Sequence, residues 1–230
     1  MSKTVVITGC SRGIGRALAS HYISEGWNVI ATARDVSKLA GLKAHQKLAL
    51  DVTSEESIAA AAAAIGAATP VHLLINNAGI VEVGGIGTLT KKALMSQMDT
   101  NAIGPVLVTQ ALLGNLGVAA VPGAPAVIAH ITSQMGSIQD NSSGNYYGYR
   151  GSKAALNAYS KSMAIDLKEK SIAVLLLHPG YVKTDMSPNG YISQQESVSG
   201  MAKTIAETLA DGTLSKMGGF FNQVGATLPW

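Results

Sequence analysis

The chain has 230 residues, 47% hydrophobic and 13% charged, with a formal net charge of +3. That length suits one large α/β sheet with a sizeable core, and a weak charge with no run of Lys and Arg argues against a nucleic-acid partner. A single cysteine, Cys10, excludes an internal disulfide and leaves too few thiolates for a metal site.

Short β-branched runs alternate with longer helix-like segments. Thr4–Thr8 reads as a buried strand and Ile14–Glu25 as the helix after it. Asn28–Ala33 is a second strand and Lys47–Leu50 a weaker third, ending at Asp51. Ser54 caps an Ala-rich helix from Glu55 to Ala68, whose early glutamates suit a helix N-terminus. His72–Ile75 is a fourth strand. Met98–Leu116 is helical, with a kink expected where Gly104-Pro105 interrupts it. Ala126–Thr132 is a fifth strand, Tyr149–Glu169 a long helix, and Ile172–Leu177 a sixth strand closed by Pro179-Gly180. Ser197–Ala210 is the last helix and Gly219–Asn222 a short final strand. Asp140–Gly148 and Asp185–Gln195 are polar loops, the second suited to a mobile lid.

This alternation predicts βαβ units and a Rossmann-type, doubly wound parallel sheet of about seven strands, with helices on both faces. The strands read as continuously apolar, as strands covered on both faces should. No linker or second domain interrupts residues 1–230. The N-terminus lacks the layout of a signal peptide and no apolar stretch is long enough for a bilayer, so the expectation is a cytoplasmic protein without a membrane partner. The low charge predicts that other subunits cover part of the surface.

Between the first strand and first helix runs Thr8-Gly9-Cys10-Ser11-Arg12-Gly13-Ile14-Gly15. Glycines let the backbone turn tightly and approach a pyrophosphate, while the helix N-terminus offers free N–H groups. Arg12 lies inside this turn, and Arg34 follows the second strand, where an adenosine ribose is expected. An acidic residue there favours NAD, whereas a guanidinium binds a 2′-phosphate. Asp35 comes one residue later and reads as the start of the next helix. The pattern predicts NADP(H).

Tyr149 and Lys153 are four residues apart and share one helix face. A free tyrosine titrates near about 10, and a nearby ammonium is expected to lower that value and equip the phenol for acid–base work. Tyr146 and Tyr147 have no lysine four residues on. Asp166, Glu169 and the histidines show no spacing for a metal.

These residues resemble the classical short-chain dehydrogenase/reductase family over essentially the whole chain. Thr8–Gly15 is similar to its cofactor turn, Asp51-Val52 to its adenine-contacting pair, and Asn76-Asn77-Ala78-Gly79 to its signature after the fourth strand. Asn101, Ser133, Tyr149 and Lys153 match its catalytic tetrad, with Gly136 three residues beyond the serine. Pro179-Gly180, Val182 and Thr184 match the segment beside the nicotinamide. Thr132 and Ser137 stand close enough to Ser133 to compete for its role. Thr100–Pro105, Met135–Ile138, Tyr149–Asn157 and the ending Leu228-Pro229-Trp230 resemble the carbonyl-reductase-like branch that includes sniffer and the C-signal proteins.

The resemblance implies an NADP(H)-dependent oxidoreductase acting on a carbonyl or alcohol, most readily reducing an aldehyde or ketone. Gly9, Ser11, Arg12, Gly13, Ile14, Gly15, Arg34, Asp51, Val52, Asn77, Ala78, Gly79, Tyr149, Lys153, Pro179, Gly180, Val182 and Thr184 would hold the cofactor. Tyr149 would give the proton, Ser133 orient the carbonyl, Lys153 hold the ribose, and Asn101 position a water. The family also implies a homodimer or homotetramer. The rival is a cofactor-binding regulatory or signalling protein with low turnover. The Ser133–Tyr149 gap is longer than in many relatives, and the Asn141–Gly148 loop absorbs it.

Overall fold

A computed structural model describes residues 2–230. Seven strands, β1 (Thr4–Ile7), β2 (Asn28–Ala33), β3 (Gln46–Ala49), β4 (Leu73–Asn76), β5 (Ala126–Ile131), β6 (Ile172–His178) and β7 (Phe220–Asn222), form one sheet in the order β3-β2-β1-β4-β5-β6-β7. Every pairing is parallel. The helices are α1 (Gly13–Ser24), α2 (Glu55–Ile65), α3 (Lys91–Met98), α4 (Gly104–Ala111), α5 (Leu113–Ala119), α6 (Tyr147–Leu167) and α7 (Gln194–Ala210).

Alternate residues of each central strand feed two separate cores. Val5, Ile75, Val127 and Leu175 pack with Leu18 of α1 and Ile205 of α7. Val6, Leu74, Ile128 and Val174 pack with Ile58 of α2, Val108 of α4 and Leu167 of α6. Each fully buried Leu, Ile or Val contributes roughly 1.5–3 kcal/mol, which is why the central strands carry no alternation. β3 departs from the expected continuous apolar run: its burial alternates between half-buried Gln46 and Leu48 and exposed Lys47 and Ala49. It is the sheet edge, where one flank faces solvent and charged side chains discourage further pairing.

The helix expected from Met98 begins earlier, at Lys91, where the Thr90 hydroxyl caps it by accepting from the Ala93 N–H. The kink expected at Gly104-Pro105 is elsewhere. A π-helical turn, Asp99–Ile103, precedes Pro105 and joins α3 to α4. A wider turn accommodates the N–H that proline lacks. The bend is at Leu112, where α5 turns by 57° from the preceding helical run. That bend lets the Asn115 amide donate to the carbonyls of Gly66 and Thr69 beyond α2. The Asp140–Gly148 loop gives way to helix at Tyr147, and α7 starts at Gln194 with Ser193 as its cap.

The site follows from the strand order. β1 pairs with β2 on one flank and β4 on the other, so the chain leaves β1 in one direction and returns at β4 in the other. Loops diverging at such a switch point open a crevice at the carboxyl ends of the strands.

Candidate active site

Thr8 knits the two sides of this crevice together. Its hydroxyl accepts from the N–H groups of Asn77 and Ala78, each at 3.0 Å. The Asn77 amide donates back to the carbonyls of Thr8 at 2.9 Å and Gly9 at 3.3 Å. Gly9 and Gly13 adopt φ of +74° and +56°, a region that favours glycine. At Gly15 the constraint is space: a Cβ would stand 2.3 Å from the Gly9 carbonyl oxygen and 2.4 Å from the Asn77 amide nitrogen. The first turn of α1 has no side-chain cap and no acidic residue, so its N–H groups can receive an anion.

A cavity of about 1300 Å³ runs across the strand ends. Gly9 and Ser11–Gly15 line it, followed by Arg34, Asp51, Val52 and Asn77–Gly79. Ser133, Tyr149, Lys153, Pro179, Gly180, Val182 and Thr184 line it as well. Its volume exceeds the roughly 300–1,000 Å³ of ordinary small-ligand sites, which leaves room for two molecules side by side.

At the β2 end Arg34 is exposed, whereas the Asp35 carboxylate turns away and accepts from the Ser37 N–H at 2.9 Å, capping a 3₁₀ turn. Hydrogen bonds from Thr53 hold the Asp51 carboxyl below its usual range. Arg12 has a partner no local pattern signals: its Nη1 donates to Asp185 at 3.0 Å, and both side chains are 71% exposed. This pair ties the glycine turn to the 183–192 loop, whose Thr184 lies against Gly13. The loop is braced by its own hydrogen bonds, including Lys183 N–H to Ile192 and Ser187 N–H to Thr184.

At the β5 end Lys153 is buried and donates to the Ile131 carbonyl at 2.9 Å. Burial lowers its pKa to about 8. Tyr149 corrects the expectation of a lowered value: burial of the phenol raises its pKa, and the hydrogen bond from Ser133 opposes that only in part.

Ser133 acts on the phenol in the sense of opposing the rise in its pKa, and its oxygen accepts from the Met135 N–H. The two competitors are committed elsewhere. Thr132 donates to Asn157 at 2.6 Å, and Ser137 donates to the Trp230 carbonyl at 3.0 Å. Asn101 is the one tetrad candidate that does not line the cavity. Its amide N–H groups go to Ile80 O and Ser152 Oγ, and its Oδ1 accepts from the Ile80 N–H. The side chain brackets the turn after β4 to α6 and has no N–H left for a water.

Two cavity residues, His178 and Arg150, escaped the sequence reading. His178 ends β6, and burial lowers its pKa to about 4; a polar residue closing an apolar strand was the available signal. Arg150 donates to Gly144 O, Ser143 Oγ and Met135 O, organising the loop before α6. In that loop Gly144, Asn145 and Tyr146 all have φ between 53° and 63°. For Tyr146, which lines the cavity, this is a strained conformation. Cys10 sits in the glycine turn, but burial pushes its thiol up to about 12, which makes a reactive thiolate scarce.

Comparison with known proteins agrees with this architecture. The sequence profile of the short chain dehydrogenase family matches residues 3–195. C-signal of Myxococcus xanthus is 40% identical over 164 residues, 70% of this chain and 93% of that protein. The NADPH-bound carbonyl reductase from chicken fatty liver superposes with a TM-score of 0.90 at 35% identity, covering 100% of this chain and 99% of that one. Carbonyl reductase Sniffer of D. melanogaster superposes with a TM-score of 0.91 at 30% identity over 100% of both chains. The protein therefore belongs to the short-chain dehydrogenase/reductase family of oxidoreductases, with C-signal and Sniffer among its relatives.

Proposed function

We propose that this protein is an NADPH-dependent carbonyl reductase for an aldehyde or ketone of modest polarity. The observation that carries this reading is one continuous cavity lined by Arg12 and Arg34 as well as by Ser133, Tyr149 and Lys153. The glycine turn, closed so tightly at Gly15 that no side chain fits, suits a pyrophosphate, and the two guanidinium groups suit a 2′-phosphate. When bound, the cofactor supplies the hydride.

The chain's own groups handle the proton. The raised pKa of Tyr149 keeps its phenol protonated near neutrality, so it has a proton to give to the carbonyl oxygen. Ser133, which lines the same cavity as the phenol, orients that same oxygen. Below about pH 8 Lys153 is an ammonium and stabilises the phenolate left behind. Asp140, Tyr146 and Arg150 line this cavity too, as do the apolar Val81, Val83 and Met186 and the ring of Tyr191.

The test is consumption of NADPH against NADH with a panel of small aldehydes and ketones, with Tyr149→Phe as control. NADPH-dependent turnover that disappears in the variant is the expected result. NADPH binding without turnover across the panel favours the second reading, a regulatory or signalling protein, which draws on the likeness to C-signal. A preference for NADH overturns the roles of Arg12 and Arg34.

A further inference from the structure

Ser133–Asp140 carries Ser133 and the cavity-wall residues Gln134 and Met135, yet its only regular structure is a three-residue 3₁₀ turn, Gln134–Gly136. It is held from two sides. On one side Gly136 lies on α6 so closely that a Cβ would stand 2.8 Å from the main-chain carbon of Lys153. On the other side stands the tail beyond β7. Asn222 Oδ1 accepts from the N–H groups of Val224 and Ala226 and turns the backbone. The chain then runs back antiparallel, with the Leu228 N–H donating to Phe220 O at 2.8 Å.

This return path brings Trp230 against the segment. Its carbonyl oxygen accepts from the Ser137 hydroxyl at 3.0 Å and from the Gln139 N–H at 2.9 Å. The Ser137 oxygen in turn accepts from the Asp140 N–H at 3.0 Å, and Ser137 is only 2% exposed. The Trp230 ring rests 5.8 Å from the Phe220 ring, with the Lys161 ammonium 5.9 Å from its centroid. The ring is thus anchored on β7 and α6 while the carbonyl holds the loop.

We propose that Trp230 is a positioning residue: seated on Phe220, it clasps Ser137 and Gln139 and so fixes the wall that presents Ser133 and Gln134 to the substrate. Ser137, Gln139 and Trp230 do not line the cavity, so the clasp acts from behind that wall. Its part in the reaction rests on the carbonyl-reductase reading; the clasp itself does not.

The experiment therefore reads both. Hydrogen–deuterium exchange of amides 135–140 is followed in the wild type, Trp230→Ala, Trp230→Phe and Ser137→Ala, beside KM and kcat for an aldehyde and the Kd for NADPH. In Trp230→Ala exchange speeds up in 135–140 and not in β1 or the glycine turn. KM rises or kcat falls by about 10-fold, within the range that small misplacement of a reacting group produces, while NADPH affinity is retained. Ser137→Ala moves the same amides, and Trp230→Phe, which keeps a ring on Phe220, restores most of the loss. Unchanged exchange at 135–140, or acceleration spread evenly through the chain, overturns the clasp. Faster exchange with retained KM and kcat overturns its positioning role. Local acceleration in a protein whose wild type turns over no carbonyl leaves the clasp standing and removes the reductase reading instead.

Discussion

The Lys153 ammonium lies 5.7 Å from the centre of the Tyr149 ring, one helical turn away, and is itself buried against the Ile131 carbonyl. Burial sets the pH at which this pair works. The lysine pKa, lowered to about 8, leaves it charged at neutrality and uncharged a little above. The kcat/KM for carbonyl reduction, which reports groups of the free enzyme, should be level below about pH 8 and fall above it. In Lys153→Arg the charge persists to much higher pH. The falling limb should then move upward even as activity at neutral pH drops. A limb that stays at the same pH in the variant assigns it to another group.

The exposed Arg12–Asp185 pair adds little to stability, since ion pairs in water are worth about 0–1 kcal/mol. Its effect should appear in ligand binding. Asp185→Asn frees the Arg12 guanidinium and should tighten NADPH binding several-fold at low salt. Arg34→Ala should weaken NADPH by roughly 10–100-fold, the value of a hydrogen bond to a charged group, and leave NADH unaffected. Titration of both cofactors by protein fluorescence distinguishes the two variants.

Gly15→Ala sets two magnitudes against each other. Ala in a helix gains about 0.5–1 kcal/mol over Gly. Forcing a methyl 2.3 Å from the Gly9 carbonyl and 2.4 Å from the Asn77 amide costs typically about 1–3 kcal/mol. The net effect should be destabilising, with a lower urea midpoint and weaker cofactor binding, because relief requires separating the turns after β1 and β4.

Acid should expose a second buried group. His130 on β5 is wholly buried, with Nδ1 3.3 Å from the Asn76 amide nitrogen. Desolvation, with a smaller contribution from the Lys153 charge, lowers its pKa to about 3. Between about pH 6.5 and 3 the unfolded histidine binds a proton that the folded one refuses, so stability falls as pH falls through this window. The loss should be on the order of 4 kcal/mol by its lower end. Urea unfolding at a series of pH values measures the slope. His130→Leu should make it shallower, leaving the part that buried His178 contributes, whatever its stability at neutral pH.

What could be read along the chain was local. The strand–helix alternation, the glycine turn and the Tyr149–Lys153 spacing depend on neighbours within a few residues, where backbone geometry alone decides which side chains share a face. Continuous apolar runs marked the covered strands for the same reason. The remainder depended on contacts between distant residues. Arg12 meets Asp185 across 173 positions and Ser137 meets Trp230 across 93. Such pairs exist only once the sheet order has brought its loops together. Tertiary contacts also committed Thr132 to Asn157 and Ser137 to Trp230, spent the Asn101 side chain on Ile80 and Ser152, and moved the helix bend to Leu112. Burial, a property of the assembled fold, raised Tyr149, lowered Lys153 and silenced Cys10. The linear sequence supplied the chemical groups and their order; desolvation and long-range hydrogen bonding determined which of them are free to act.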